Sequence, residues 1–133
     1  MDVTRLLEDP ARRAVVTKAG QHPMIARGDM TFTFLLPPSA DRRIQVTVGE
    51  LAPRTEPGEP MAHGPGELFG WVLEGRLTFV VDDEVYLVEE GDTFACSYDR
   101  PHSFGNPSAH PARAMIVLAP PVDFAAVDSD DDR

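Results

Sequence analysis

The sequence is short of three things. It has one cysteine, Cys96, in 133 residues. A single thiol excludes an internal disulfide framework and a cysteine-rich zinc site, and it fits a reducing, cytoplasmic setting. No apolar run approaches the about 18 residues of a membrane helix, and Met1-Asp2-Val3-Thr4-Arg5 leads into no apolar signal core. Basic residues are also few. The 12 Lys and Arg stand against 22 Asp and Glu, for a net charge of −10. That balance argues against a nucleic-acid binder and against a protein drawn to anionic lipid, since both need a basic face.

What the sequence does have is punctuation. Its length fits one domain, large enough to bury a core without staples. The 13 Pro and 10 Gly disfavour long helices and favour short strands joined by turns. Residues 4–7 read as a helical turn, stopped ahead of Pro10. Residues 13–18, with Val15-Val16-Thr17, read as a short edge strand. From residue 30 onward the pattern is β. Segments 31–35 and 44–48 alternate polar and apolar, with Ile44, Val46 and Val48 sharing one face. Residues 53–65 form a loop rich in Pro, Gly and Glu, which needs turns or a ligand to hold its shape. Further strands are expected at 68–73, 77–81, 85–88, 93–97, 102–104 and 114–119, with Asp82-Asp83-Glu84 as a hairpin turn. About eight short strands so spaced predict an all-β sandwich or barrel. The division expected is an N-terminal extension over 1–29, a barrel over 30–124, and an acidic, disordered tail over 125–133.

Two segments carry the specific signal. His63-Gly64-Pro65-Gly66-Glu67-Leu68-Phe69-Gly70-Trp71-Val72-Leu73-Glu74-Gly75 resembles the first motif of the cupin superfamily. Gly91-Asp92-Thr93, followed by Pro101-His102-Ser103-Phe104-Gly105-Asn106, resembles the second. The resemblance implies a double-stranded β-helix, the cupin jelly-roll barrel, as a single domain. Phe69 to Gly75, Arg100-Pro101-His102 and Ala119-Pro120-Pro121 are similar to the small sensor barrels attached to helix-turn-helix regulators. With 29 residues ahead of the first strong strand, no DNA-binding module is expected here.

The resemblance also implies a divalent metal inside the barrel, with iron, manganese, nickel and zinc as candidates. Its ligand pattern falls on Met61, His63, Leu68 and His102, so two of the positions carry histidine. Glu67 lies one residue before the family's Glu position and forms a His-x3-Glu spacing with His63. His63, Glu67 and His102 would then make a facial triad suited to non-haem iron. Strand alternation opposes this: if Leu68, Gly70 and Val72 face inward, Glu67 faces out unless a bulge re-aims it. The alternatives are a two-histidine site and no metal at all, because catalytic sites generally supply three protein ligands.

Met61, Leu68, Gly70, Phe94, Cys96 and Phe104 are the candidates to line a ligand cavity. Apolar residues at ligand positions suit a small organic molecule, although small barrels can also be packed solid. Cys96 reads as a small buried hydrophobe. Phe69 and Trp71 fall on the opposite face of their strand, where the resemblance implies that a homodimer would pair. Two functions follow. One is an enzyme of small-molecule metabolism, with His63 and His102 as the catalytic pair: metal-dependent oxygenase or isomerase chemistry, or metal-independent acid and base catalysis. The other is a ligand-sensing module acting through a partner protein. A barrel whose role is dimerisation alone is the plainest alternative.

Overall fold

The computed structural model describes residues 14–122. These residues contain nine strands and no helix. The strands are β1 (Met24–Arg27), β2 (Met30–Phe34), β3 (Gln45–Leu51), β4 (Glu67–Glu74), β5 (Arg76–Val81), β6 (Glu84–Glu89), β7 (Thr93–Ser97), β8 (His102–Gly105) and β9 (Ala112–Ala119). They build a six-stranded sheet in the order β1-β2-β3-β9-β4-β7 and a three-stranded sheet in the order β6-β5-β8. Every pairing between strands is antiparallel. The all-β barrel expected from the strand spacing is the fold observed.

Alternation explains how the sheets close on one another. In β4, Leu68, Gly70 and Val72 are buried, while Glu67, Phe69 and Trp71 are exposed. In β9, Ala112, Ala114, Ile116 and Leu118 are buried. Their apolar faces meet Leu77 and Phe79 of β5 and Val88 of β6 in one core. The β5–β6 connection is a two-residue turn, with Asp82 and Asp83 at φ 51° and 69°. Two successive left-handed residues give the primed turn whose twist matches the flanking strands.

Two sequence expectations are corrected here. Residues 15–17 form no strand, and the first strand is β1. β1 has a partner because Gly28-Asp29 turns the chain back onto β2 in a hairpin. Residues 15–17 have none, and Val16 is 81% exposed. In β3, Gln45, Thr47, Gly49 and Leu51 are buried on one face and Val48 on the other, while Ile44 is exposed. The outer face of this sheet is itself partly apolar, so alternation alone does not separate its two sides. The helical turn expected at 4–7 and the tail at 125–133 lie outside the described residues.

The long loop over 53–65 is held by backbone bonds. The Arg54 N–H donates to the Ser108 carbonyl at 2.9 Å, and Thr55 pairs with Asn106. Met61 and His102 exchange both backbone bonds, at 2.9 and 3.0 Å. The His63 N–H donates to the Tyr98 carbonyl at 2.8 Å. The loop therefore forms a strap over one open side of the barrel, with His63 near its end.

Candidate functional site

Under that strap lies a cavity of about 640 Å³. This is within the range of small-molecule pockets, roughly 300–1,000 Å³. Phe32, Leu68, Phe104, Ile116 and Leu118 give it an apolar wall. Arg27, His63 and His102 add polarity within, and Asp29, Glu56 and Glu59 add carboxylates from the hairpin and the strap.

Both histidines come from positions that the sequence singles out. His102 opens β8 and is 6% exposed. Its Nδ1 lies 2.9 Å from the Arg100 carbonyl oxygen. A carbonyl only accepts, so Nδ1 carries the proton and donates it. In the neutral ring this leaves Nε2 as an acceptor. His63 is half-buried, with its ring centroid 5.9 Å from that of His102. Burial holds its pKa below the ordinary histidine value, and the nearby His102 and Arg27 lower it further. His63 is therefore neutral at neutral pH.

Tyr98 supports this pair. It is 2% exposed, and its ring stands edge-on to His63 at 5.5 Å. Its hydroxyl donates to the Pro120 carbonyl at 2.9 Å, and burial raises its pKa strongly. It stays neutral and holds the strap end against the barrel.

The cavity takes some of the expected lining residues and not others. Met61, Leu68 and Phe104 line it. Gly70, Phe94 and Cys96 lie outside its lining. Phe94 packs at a tilt against Phe79 and Phe104, at 4.8 and 5.7 Å, and this cluster fills the barrel beside the cavity. Gly70 lies directly beneath the Phe94 ring. Cys96 borders a separate groove, and burial raises its thiol pKa. His110 is exposed and His22 half-buried, both away from the cavity. Sequence reasoning did not find Arg27, Phe32 or Tyr98. The available signal was the Gly28-Asp29 dipeptide, which marks the hairpin that brings Arg27 and Phe32 to the cavity.

The expected metal triad does not form. Glu67 is exposed on the outward side of β4. The irregularity in β4 falls between Val72 and Glu74, too far along the strand to re-aim it. Among the described residues, no group of three or more His, Cys, Asp or Glu is placed to hold a metal ion. The residues present do not fit the three-ligand site that the resemblance implies.

Residues 47–118 match the Cupin domain family, Cupin_2. The chain belongs to the cupin family. It is also 35% identical over 68 residues to the HTH-type transcriptional regulator PuuR of Escherichia coli K12. That match covers 51% of this cupin but only 36% of the regulator. Among solved structures, the fold is similar to the cupin domain of an XRE-family transcriptional regulator from Enterobacter cloacae. The TM-score is 0.64 at 21% identity, over 71% of this chain and 100% of that one. It is also similar to hydroxypropylphosphonic acid epoxidase from S. wedmorenis, at TM-score 0.68 and 15% identity, over 80% and 59% of the two chains. Structures of that enzyme include Fe(II) forms. At such identities these structures speak for the fold alone.

Proposed function

We propose that the cavity binds a small, mostly apolar organic molecule bearing a carbonyl group, and that His63 and His102 move a proton on it without a metal. One observation carries this reading: two imidazoles, one oriented by its Nδ1 bond to the Arg100 carbonyl, share a cavity with a wall of Phe32, Leu68 and Phe104. His102 Nε2 takes a proton from the carbon next to the carbonyl. The electron pair left behind delocalises onto the carbonyl oxygen, which accepts a hydrogen bond from the neutral His63 ring. Return of the proton from His102 completes an isomerisation or an exchange. An unprotonated imidazole near neutral pH suits that work.

Sensing without turnover is the second reading. The 35% identity to PuuR favours it, because PuuR is a transcriptional regulator. A sensing barrel would act through a partner protein. In either case a homodimer is part of the proposal. Phe69 and Trp71 are 42% and 44% exposed on the outer face of β4, beside Val117 and Met115 of β9. This apolar strip suits a second copy. A cytoplasmic setting fits the single cysteine.

The test uses a panel of small cyclic and aromatic ketones in deuterated buffer, followed by NMR. Binders are expected to exchange the hydrogens next to the carbonyl. His102→Ala should slow exchange at least about a hundredfold, within the range of general base catalysis. Leu68→Trp, which fills the cavity, should abolish binding. Binding with no exchange would favour sensing. Binding unaffected by Leu68→Trp would place the ligand elsewhere.

A further inference from the structure

The side of the barrel away from the strap has a second feature. β6 is the outer strand of the three-stranded sheet, and among the described residues no strand pairs with its free edge. An ordinary half-buried strand hides alternate side chains. Here Val85, Tyr86 and Leu87 are 65%, 49% and 52% exposed in succession. The free edge borders a groove of about 820 Å³, lined by Tyr86, Leu87, Val88, Phe94, Cys96 and Arg100. Such an edge presents unpaired backbone groups ready to accept another strand.

Its charge is distinctive. Asp82, Asp83 and Glu84 precede the apolar stretch, and Glu89, Glu90 and Asp92 follow it. Arg100 pairs with Asp82, and the Asp92 carboxylate accepts the Glu89 N–H at 2.8 Å. The edge thus has an apolar centre between acidic ends.

One stretch of this chain is its complement. Arg12-Arg13-Ala14-Val15-Val16-Thr17-Lys18 has a β-branched centre between basic ends. It has the composition of an edge strand, yet among the described residues 14–18 join no strand, the Lys18 carbonyl accepts a turn bond from the Gln21 N–H at 3.1 Å, and Val15 and Val16 are 46% and 81% exposed. They do not border the groove.

We infer that residues 12–18 of a second copy dock as an added strand on the free edge of β6. An antiparallel register sets Lys18 opposite Glu84, Val16 opposite Tyr86, Val15 opposite Leu87, Arg13 opposite Glu89 and Arg12 opposite Glu90. Opposite charges and apolar side chains facing each other across a pair each add stability. A mutual exchange of arms between two copies satisfies both edges. This arm contact is independent of the ligand cavity and of the Phe69 and Trp71 face.

The decisive experiment is disulfide trapping in the full chain. Val15→Cys and Leu87→Cys are combined in a Cys96→Ser background and oxidised mildly. The expected product is a covalent dimer whose linked peptides carry positions 15 and 87. Three results would overturn the inference: a bridge within one chain, a bridge joining two copies of position 15, or free thiols throughout. A second measurement needs no cysteine. In a Trp71→Glu background, which removes the outer-face contact, Arg12→Glu with Arg13→Glu should weaken the remaining dimerisation at least about tenfold by sedimentation equilibrium, and adding Glu89→Arg with Glu90→Arg should restore most of it. An unchanged equilibrium in the first variant would also overturn it.

Discussion

Asn106→Asp is expected to leave the protein largely unfolded in dilute buffer. Asn106 is 1% exposed at the end of β8. Its Nδ2 donates to three carbonyl oxygens: Leu51 at 3.2 Å, Ala52 at 3.2 Å and His110 at 2.8 Å. Its Oδ1 accepts from the Ser108 N–H and hydroxyl, both at 3.0 Å. Aspartate turns the donating end into a carboxylate oxygen that faces those carbonyls out of water. The hydrogen bonds are lost and a buried charge gains no partner. The combined cost is roughly 4 kcal/mol or more, most of the stability of a small domain. Asn106→Ala removes the bonds without adding charge, so it should cost roughly half as much. Urea unfolding checks both. The strap should loosen first, because Asn106 joins its beginning to the loop that holds Ser108 and His110. An aspartate variant as stable as the wild type would show that this network bears no weight.

Gly70→Ala should have the next largest effect. A Cβ at Gly70 would lie 2.0 Å from Cζ of Phe94 and 2.3 and 2.5 Å from its two Cε atoms. Phe94 is the direct cross-strand partner of Gly70. Its ring cannot simply swing away, because Phe79 and Phe104 pack against it at 4.8 and 5.7 Å. Overpacking of this kind costs roughly 1–3 kcal/mol. The diagnostic result is coupling between the two sites. Phe94→Leu alone should destabilise, but combined with Gly70→Ala it should recover part of the loss by giving the methyl group room. Strictly additive losses would mean that the ring is not the obstacle.

Most of the strand order was legible from local pattern. The period-two alternation of Leu68, Gly70 and Val72 correctly set the faces of β4, and with them the outward position of Glu67. The paired aspartates of the β5–β6 turn were equally clear. Residues 44–48 were misleading, because Gln45 and Thr47 are polar yet buried, with the Thr47 hydroxyl 3.5 Å from the Ile116 carbonyl. β1 was missed because four residues between Pro23 and Gly28 make too short a run to stand out. The Val15-Val16-Thr17 signal was genuine as composition, but among the described residues no strand pairs with it.

The site was legible in its two histidines and not in its walls. His63 and His102 lie far apart in sequence, and motif spacing brought them together. Arg27 and Phe32 reach the cavity through a short hairpin whose one sequence mark is Gly28-Asp29. Gly70 and Phe94 have the right parity for the interior but occupy its filled part, and Cys96 borders a separate groove. Parity tells which face of a sheet a residue is on, and not which end of a barrel is hollow. Tyr98 has no local signature at all; its role comes from burial and from one bond to the Pro120 carbonyl.

Metal analysis of the protein, purified without a histidine tag, tests the two-imidazole site most directly. The wild type, His63→Ala and His102→Ala are measured side by side. A metal content near zero in all three is expected, because Glu67 faces outward and no third ligand joins the pair among the described residues. Stoichiometric iron, manganese, nickel or zinc in the wild type, lost in both variants, would contradict it.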